Sequence, residues 1–416
     1  MKVLVISGVF PPTLAAESEY AYHFLSKLRD SFSELSLLTT DKPDLARLPG
    51  VEVFPIMKRW NWSELPRLYR FLKESQPDVI FHLYIGWNYQ NRSLPTFLPS
   101  LAKKISPKVR VISLFYNRYG ANKPLLSWPE VKFTESLIKV MNQRGVCFEF
   151  GTLLTHSDRV ICFAPKHLEF LESVYPEVRQ KSEILPALPL IDTEGFDFTE
   201  SRLRQRSEFG FSDEETVFAF LGFMYPSKNV ELLLRAVARL KEKQRLFKLL
   251  LIGGVLDETS GTSVSYATEL KALCKQLNLE DYVRWSGSYA WGSKLPSRWL
   301  SSADACVFPF SHGLSFNNSS LATALNHHLP ILGVAGEKTA GALATGKWAG
   351  LCDSTESALA ALMGRFITDE SYRSQLRQGA SELLTRYFSW EKAVSRLELM
   401  CRDTTDGFYS PLDDES

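Results

Sequence analysis

Short runs of consecutive apolar residues alternate along the chain with stretches in which apolar positions recur every three or four residues. The first run, VLVIS at 3–7, leads through a Pro-rich loop into helical spacing over 18–28. ELSLLTT, GVEVFPI, PDVIFHLY and VRVISLF follow, with a helical stretch at 65–74 between the second and third. Strands that are apolar on both faces and joined by helices form a parallel sheet covered on both sides. TVFAFLGF at 216–223 opens a second series of the same kind. It continues through a helix over 230–243, FKLLLIGG, a helix over 266–277, YVRWSG, ADACVFPF and LPILGV. The expected fold class is therefore α/β, with two doubly wound, Rossmann-like domains facing a cleft. The join falls between 185 and 215, where Pro186, Pro189 and a charged stretch read as loop. The expected domains are 1–195 and 196–388. Helices are expected over 356–388, broken near Thr368, and over 390–401, ahead of an acidic tail within the closing segment 389–416. Ligands of doubly wound domains bind at the carboxyl ends of the strands.

Composition narrows the function without naming it. Of 416 residues, 48 are Lys or Arg and 47 are Asp or Glu, a net charge of +1. Broad nucleic-acid binding needs concentrated positive charge, so no nucleic-acid partner is expected. The six cysteines include no C-x-x-C pair and the seven histidines lack ligand spacing, so neither a disulfide framework nor a metal site is expected. The apolar runs are shorter than the ~20 residues that span a bilayer. MKVLVISGVFPP reads better as a buried first strand than as a signal peptide, and the expected location is cytoplasmic.

Several motifs, taken in order, resemble the family 4 glycosyltransferases of the GT-B fold. FPPTLAAESE after the first strand resembles their FPP-x-x-GG-x-E turn, and LGFMYPSKNVELLLRAVARL resembles their G-R-L-x-x-x-K-G segment with its following helix. KLLLIGG, DYVRWSG, SSADACVFPF and LPILGV fall where that family has core strands. RYFSWEKAVSRLELM resembles its closing helix, which crosses back onto the first domain. The resemblance implies transfer of a sugar from a nucleotide-sugar donor on the second domain to an acceptor on the first. Retention of configuration and independence of metal and cofactor are part of that implication.

The same resemblance assigns site residues. A departing nucleoside diphosphate needs fixed positive charge and free N–H groups at helix N-termini. Lys228 stands where the family's lysine meets the diphosphate, while Phe223 replaces the partner arginine. The family's two glutamates eight positions apart are replaced by Ser315 and Thr323, and His328 takes the place of the following glycine. What remains is the polar turn Asn317, Asn318, Ser319 and Ser320, opening a helix at Leu321, with side chains suited to N-capping. Gly222, Gly253, Gly254, Gly287 and Tyr289 complete the candidate donor site, with plain turn glycines as the alternative for Gly253, Gly254 and Gly287. His312 and His327 are further contact candidates, with a surface or core histidine as the favoured alternative for each. In the first domain Ala15 and Ala16 replace the two glycines of the phosphate loop, a turn that alanine permits only at negative φ. Glu17 and Glu19 are candidates to position or deprotonate an acceptor hydroxyl, with a plain helix-dipole role as the alternative for each. Arg118 occupies the neighbourhood of a family histidine and is a candidate substitute for the missing arginine.

The basic, aromatic segment 58–74 suggests peripheral contact with the inner face of a membrane carrying lipid-linked acceptors, or else a solvated helix face. GALATGKW places Trp348 where a P-loop needs Ser or Thr, and neither G-x-S-x-G nor D-x-D occurs. The leading reading is a glycosyltransferase acting on a glycan or lipid-linked acceptor. Because three charged family residues are replaced, two other readings stand beside it. One is an inactive GT-B protein that binds nucleotide or glycan beside an active transferase, and the other is an epimerase using the same donors.

Overall fold

The computed structural model describes residues 1–193, 195–244, 246–254, 261–339 and 341–402. The expected acidic tail lies outside them. The chain divides into one unit of residues 1–186 joined by 390–416, and a second of residues 187–389. The division falls at Pro186, inside the expected join of 185–215 and nine residues ahead of the boundary set at 195.

The first unit holds seven strands: β1 (Lys2–Ser7), β2 (Glu34–Thr40), β3 (Glu52–Met57), β4 (Val79–Tyr84), β5 (Arg110–Phe115), β6 (Arg159–Cys162) and β7 (Ser182–Ile184). They pair in parallel in the order β3-β2-β1-β4-β5-β6-β7. β4 is buried at every position, as a central strand between β1 and β5 must be. The second unit holds β8 (Thr216–Leu221), β9 (Phe247–Ile252), β10 (Val283–Gly287), β11 (Ala305–Phe308), β12 (Ile331–Val334) and β13 (Gly350–Cys352). Their order is β10-β9-β8-β11-β12-β13, again parallel. Both sheets are Rossmann-like, and in each the order reverses once. The reversal lies between β1 and β4 in the first unit, and between β8 and β11 in the second. A crevice opens there because successive connections leave toward opposite faces.

Most expected helices are present, among them Ala16–Leu28, Leu65–Ser75, Val230–Lys241 and Ser319–Asn326. The break near Thr368 is Asp369, whose carboxylate accepts from the Tyr372 N–H and starts a new helix, Glu370–Tyr387. The charged stretch expected to be loop instead contains the helix Phe198–Phe209. Its N-cap Asp197 accepts from the Glu200 N–H and Gly210 closes it at φ +68°, signals that the polar composition hid.

Trp390–Arg402 packs on the first unit, with its Trp390 ring 5.8 Å from that of Tyr20. Arg396 makes two bonds, 2.6 and 3.0 Å, to the carboxylate of Glu183 in β7, and Arg110 donates to the Met400 carbonyl at 2.8 Å. Glu183 is 1% exposed. A buried carboxylate of this kind requires its cation.

Candidate functional site

In the second unit, the loops leaving β8 and β11 meet at the switch point. Ser311 donates from both its backbone N–H (3.1 Å) and its hydroxyl (3.2 Å) to the Ser227 carbonyl, tying the two loops together. Gly222 follows β8 directly, at φ +147°, and a Cβ built on it would lie 3.7 Å from Ser320 Oγ and 3.9 Å from Lys228 Nζ. One point therefore sees a hydroxyl, an ammonium and the N-terminus of the helix Ser319–Asn326. Neighbouring strand ends are held close. Gly253, at φ +121°, sits where a Cβ would be 2.3 Å from the Gly222 carbonyl oxygen, so only glycine fits. Met224 donates to the Gly254 carbonyl at 2.9 Å, and Gly253 and Gly287 form a bridge.

Lys228 lies 4.0 Å above the Phe310 ring and 5.5 Å from that of Tyr225. Among the described residues no carboxylate pairs with it, and burial alone shifts its titration. Burial pushes its pKa down to about 8. A desolvated cation held by aromatic faces, with no counter-ion among the described residues, is set up to receive an anion.

The turn before the helix differs from the sequence expectation. Asn318 is the N-cap, but its Oδ1 accepts from the Ser315 N–H (2.7 Å) and hydroxyl (3.3 Å) rather than from the helix. Ser315 and Asn318 thus close the turn, and no side chain caps the first-turn N–H groups. Leu321 contributes only its backbone, because its side chain is fully buried. Asn317 and Ser319 are partly exposed beside it.

Two assignments fail on burial. Thr323 is 2% exposed and its hydroxyl accepts from the Leu190 N–H at 3.2 Å, so it has a structural bond in place of a donor contact. His327 bonds the Thr323 carbonyl and the Ser297 hydroxyl at 2.7 and 2.9 Å. Burial lowers its pKa to about 4, making it a neutral core histidine. His312 is exposed and lies 3.1 Å from Glu337. Tyr289 is partly exposed, its ring 6.1 Å from that of Trp299, and Gly287 is an open turn glycine at φ +78°.

In the first unit, Ala15 is extended at φ −160° and Ala16 begins the helix, so alanine meets no strain here. Glu17 and Glu19 fill the first turn. A phosphate at this helix start would face two carboxylates, which disfavours the phosphate-loop role. Burial raises both acids, Glu19 to about 7, while the Trp87 side chain bonds Glu17 and partly offsets its rise. The Tyr116 hydroxyl donates to the Glu17 carbonyl at 3.3 Å. Arg118 is exposed, its guanidinium 5.5 Å from the Phe170 ring and 5.9 Å from that of Tyr119. The segment 58–74 keeps its basic side chains outward, but Trp60 is fully buried on the Thr40 hydroxyl and Trp62 bonds Ser93 and Thr134. Its tryptophans are therefore unavailable to a membrane.

Phe310, Ser227, Ser311 and Trp87 were not singled out from the sequence. Each lies just beyond a strand's carboxyl end, a positional signal that would have found them. Among the described residues no group of three or more His, Cys, Asp or Glu could hold a metal ion, and no helix is long and apolar enough to cross a membrane.

Residues 201–383 match the family model of the glycosyl transferases of group 1. The D-inositol 3-phosphate glycosyltransferase of Kineococcus radiotolerans is 29% identical over 259 residues, covering 60% of this chain and 58% of that protein. The enzyme of the same name from Streptomyces avermitilis is 24% identical, over 58% of this chain and 51% of its own length. The chain thus spans little more than half of the curated relatives it matches. Among solved structures, a sucrose-phosphate synthase from Thermosynechococcus elongatus superposes with a TM-score of 0.67 at 15% identity, covering 97% of this chain and 98% of its own. HepE of Anabaena in complex with UDP-glucose gives 0.64 at 14% identity, covering 95% and 98%. Both are similar in fold.

Proposed function

We propose, from the match of residues 201–383 to the family model of the glycosyl transferases of group 1, that the chain transfers a sugar from a nucleoside-diphosphate sugar. The acceptor in this reading is a glycan or a lipid-linked glycan precursor. The observation that carries the proposal is the convergence of Lys228, Ser320 and an uncapped helix N-terminus on the space in front of Gly222. A leaving diphosphate accumulates negative charge in the transition state, and these groups are already oriented toward where it would sit. The protein's contribution is then electrostatic: Lys228 supplies the charge, and the N–H groups of Ser319 to Leu321 donate along the helix axis. Retention of configuration and independence of metal are part of the same proposal, supported by Lys228 as a source of fixed positive charge. Glu19, with a pKa near 7, is the acid best suited to exchange a proton with an acceptor hydroxyl near neutral pH. A neighbouring solved structure, HepE of Anabaena, holds UDP-glucose, which supports a nucleotide sugar as the ligand class.

Incubation with UDP-, GDP-, ADP- and dTDP-sugars, followed by assay of released nucleoside diphosphate, tests the proposal. Release with one donor, lost in Lys228→Ala, is expected, and the anomeric signal of the product reports retention or inversion. The loss of both family glutamates, with the Thr323 hydroxyl bonded to Leu190, favours a second reading as a nucleotide-binding partner of an active transferase. Tight nucleotide binding without turnover of any donor would select that reading.

A further inference from the structure

Away from β1, the first unit contains a cavity of about 800 Å³ at the carboxyl ends of β4 and β5, lined in part by Trp87, Asn91, Tyr119, Asn122, Lys123 and Glu149. That volume suits a small organic ligand. Trp87 and Tyr119 are 45% and 48% exposed, and their ring centroids lie 5.5 Å apart at 45°. Large aromatic side chains left open at a cavity form an apolar platform. The backbone beneath is close-packed: a Cβ on Gly86 would meet the Gly120 carbonyl oxygen at 2.1 Å, and one on Gly120 would meet that of Glu149 at 2.4 Å. The platform therefore stands on rigid ground.

We infer that this cavity binds a sugar ring of the acceptor, stacked on Trp87 and Tyr119 with its hydroxyls directed to Asn91, Asn122 and Glu149. A saccharide offers an apolar C–H face and a polar edge, and this lining offers both counterparts. A phosphorylated ligand fits poorly, because Lys123 is already paired with Glu135 at 2.6 Å and Glu149 places a carboxylate in the cavity. Glu149 and the side-chain amides supply acceptors and donors for neutral hydroxyls. The assignment rests on the transferase reading only in calling the bound saccharide an acceptor.

Saturation-transfer NMR and calorimetry on the full chain would use the methyl glycosides of glucose, galactose, mannose and N-acetylglucosamine, with inorganic phosphate as control. Saturable binding of at least one glycoside, and none of phosphate, is expected. Trp87→Ala and the exposed-residue change Asn122→Ala should each weaken it about tenfold or more, as truncation of a central contact does, while Trp87→Phe keeps most of it. No binding of any glycoside, or binding unchanged in both alanine variants, would overturn the assignment. Binding of UDP, GDP, ADP and dTDP is measured in parallel. Saccharide binding without nucleotide binding sinks the transferase reading and leaves the pocket, and the reverse result sinks the pocket alone.

Discussion

At the scale of single residues, Lys228 carries most of the argument. Its folded pKa of about 8 lies below the ordinary lysine value because burial penalises the ammonium. A diphosphate binds the ammonium form, so nucleotide affinity should fall as pH rises through about 8, with a proton taken up on binding. Calorimetry at pH 8 in buffers of different ionisation enthalpy would detect that proton; a buffer-independent enthalpy would contradict it. Lys228→Ala should weaken nucleoside diphosphate binding by roughly 10–100-fold, the worth of a hydrogen bond to a charged group. Glu19 shifts the opposite way. Its folded pKa of about 7 lies above its ordinary value of 4.5, so the folded state binds the extra proton and stability declines as pH rises from about 4.5 to 7. Glu19→Gln should remove that decline and make the protein about 1–3 kcal/mol more stable at pH 8, as read by denaturant melts at several pH values. Lys228 was singled out by motif position, and its burial between Phe310 and Tyr225 was not readable there. Thr323 was misplaced in the donor site because a motif position does not say which way a helical side chain points. It points into the core, as does His327, for which a core role was the alternative.

At the scale of elements, the helix Ser319–Asn326 is left without a side-chain cap because Asn318 serves the turn. Ser320→Asp should therefore act in opposite directions on two readouts. It should stabilise the free protein by about 0.3–1 kcal/mol through the helix dipole, and weaken nucleotide binding through repulsion. A change of the same sign in both readouts would mean the N-terminus does not face the ligand. The closing helix offers a second test. Arg396→Ala strands the buried Glu183 carboxylate and should cost about 3–5 kcal/mol, much of it recovered in the double variant with Glu183→Gln, as a thermal-melt cycle would report. Elements with strong apolar periodicity, such as Val230–Lys241 and the strands around it, were legible within two residues. Phe198–Phe209 was not, because it buries only Gln205 and Arg206 and has no apolar stripe to read. β7 escaped for a similar reason: three residues long, it buries Ser182 and Glu183 beside Ile184.

At the scale of the whole molecule, two parallel sheets each reverse order once, and each carries candidate chemistry at the carboxyl ends of its strands. The alternation of apolar runs and helices made this architecture readable, since it follows from burial on both faces of a sheet. The two proposals place an anion site in the second unit and a saccharide pocket in the first. That division of labour is what a donor and an acceptor require. The central claim is that the space before Gly222 binds a nucleoside diphosphate. Thermal unfolding in the presence of UDP, GDP, ADP and dTDP tests it most directly. Ligand at ~100 times its Kd should add about 2.7 kcal/mol of stability. The account expects one of the four to raise the unfolding temperature of the native chain, and the same concentration to add only about 0.4–1.4 kcal/mol to Lys228→Ala. Equal stabilisation of both proteins, or of neither by any nucleotide, would contradict it.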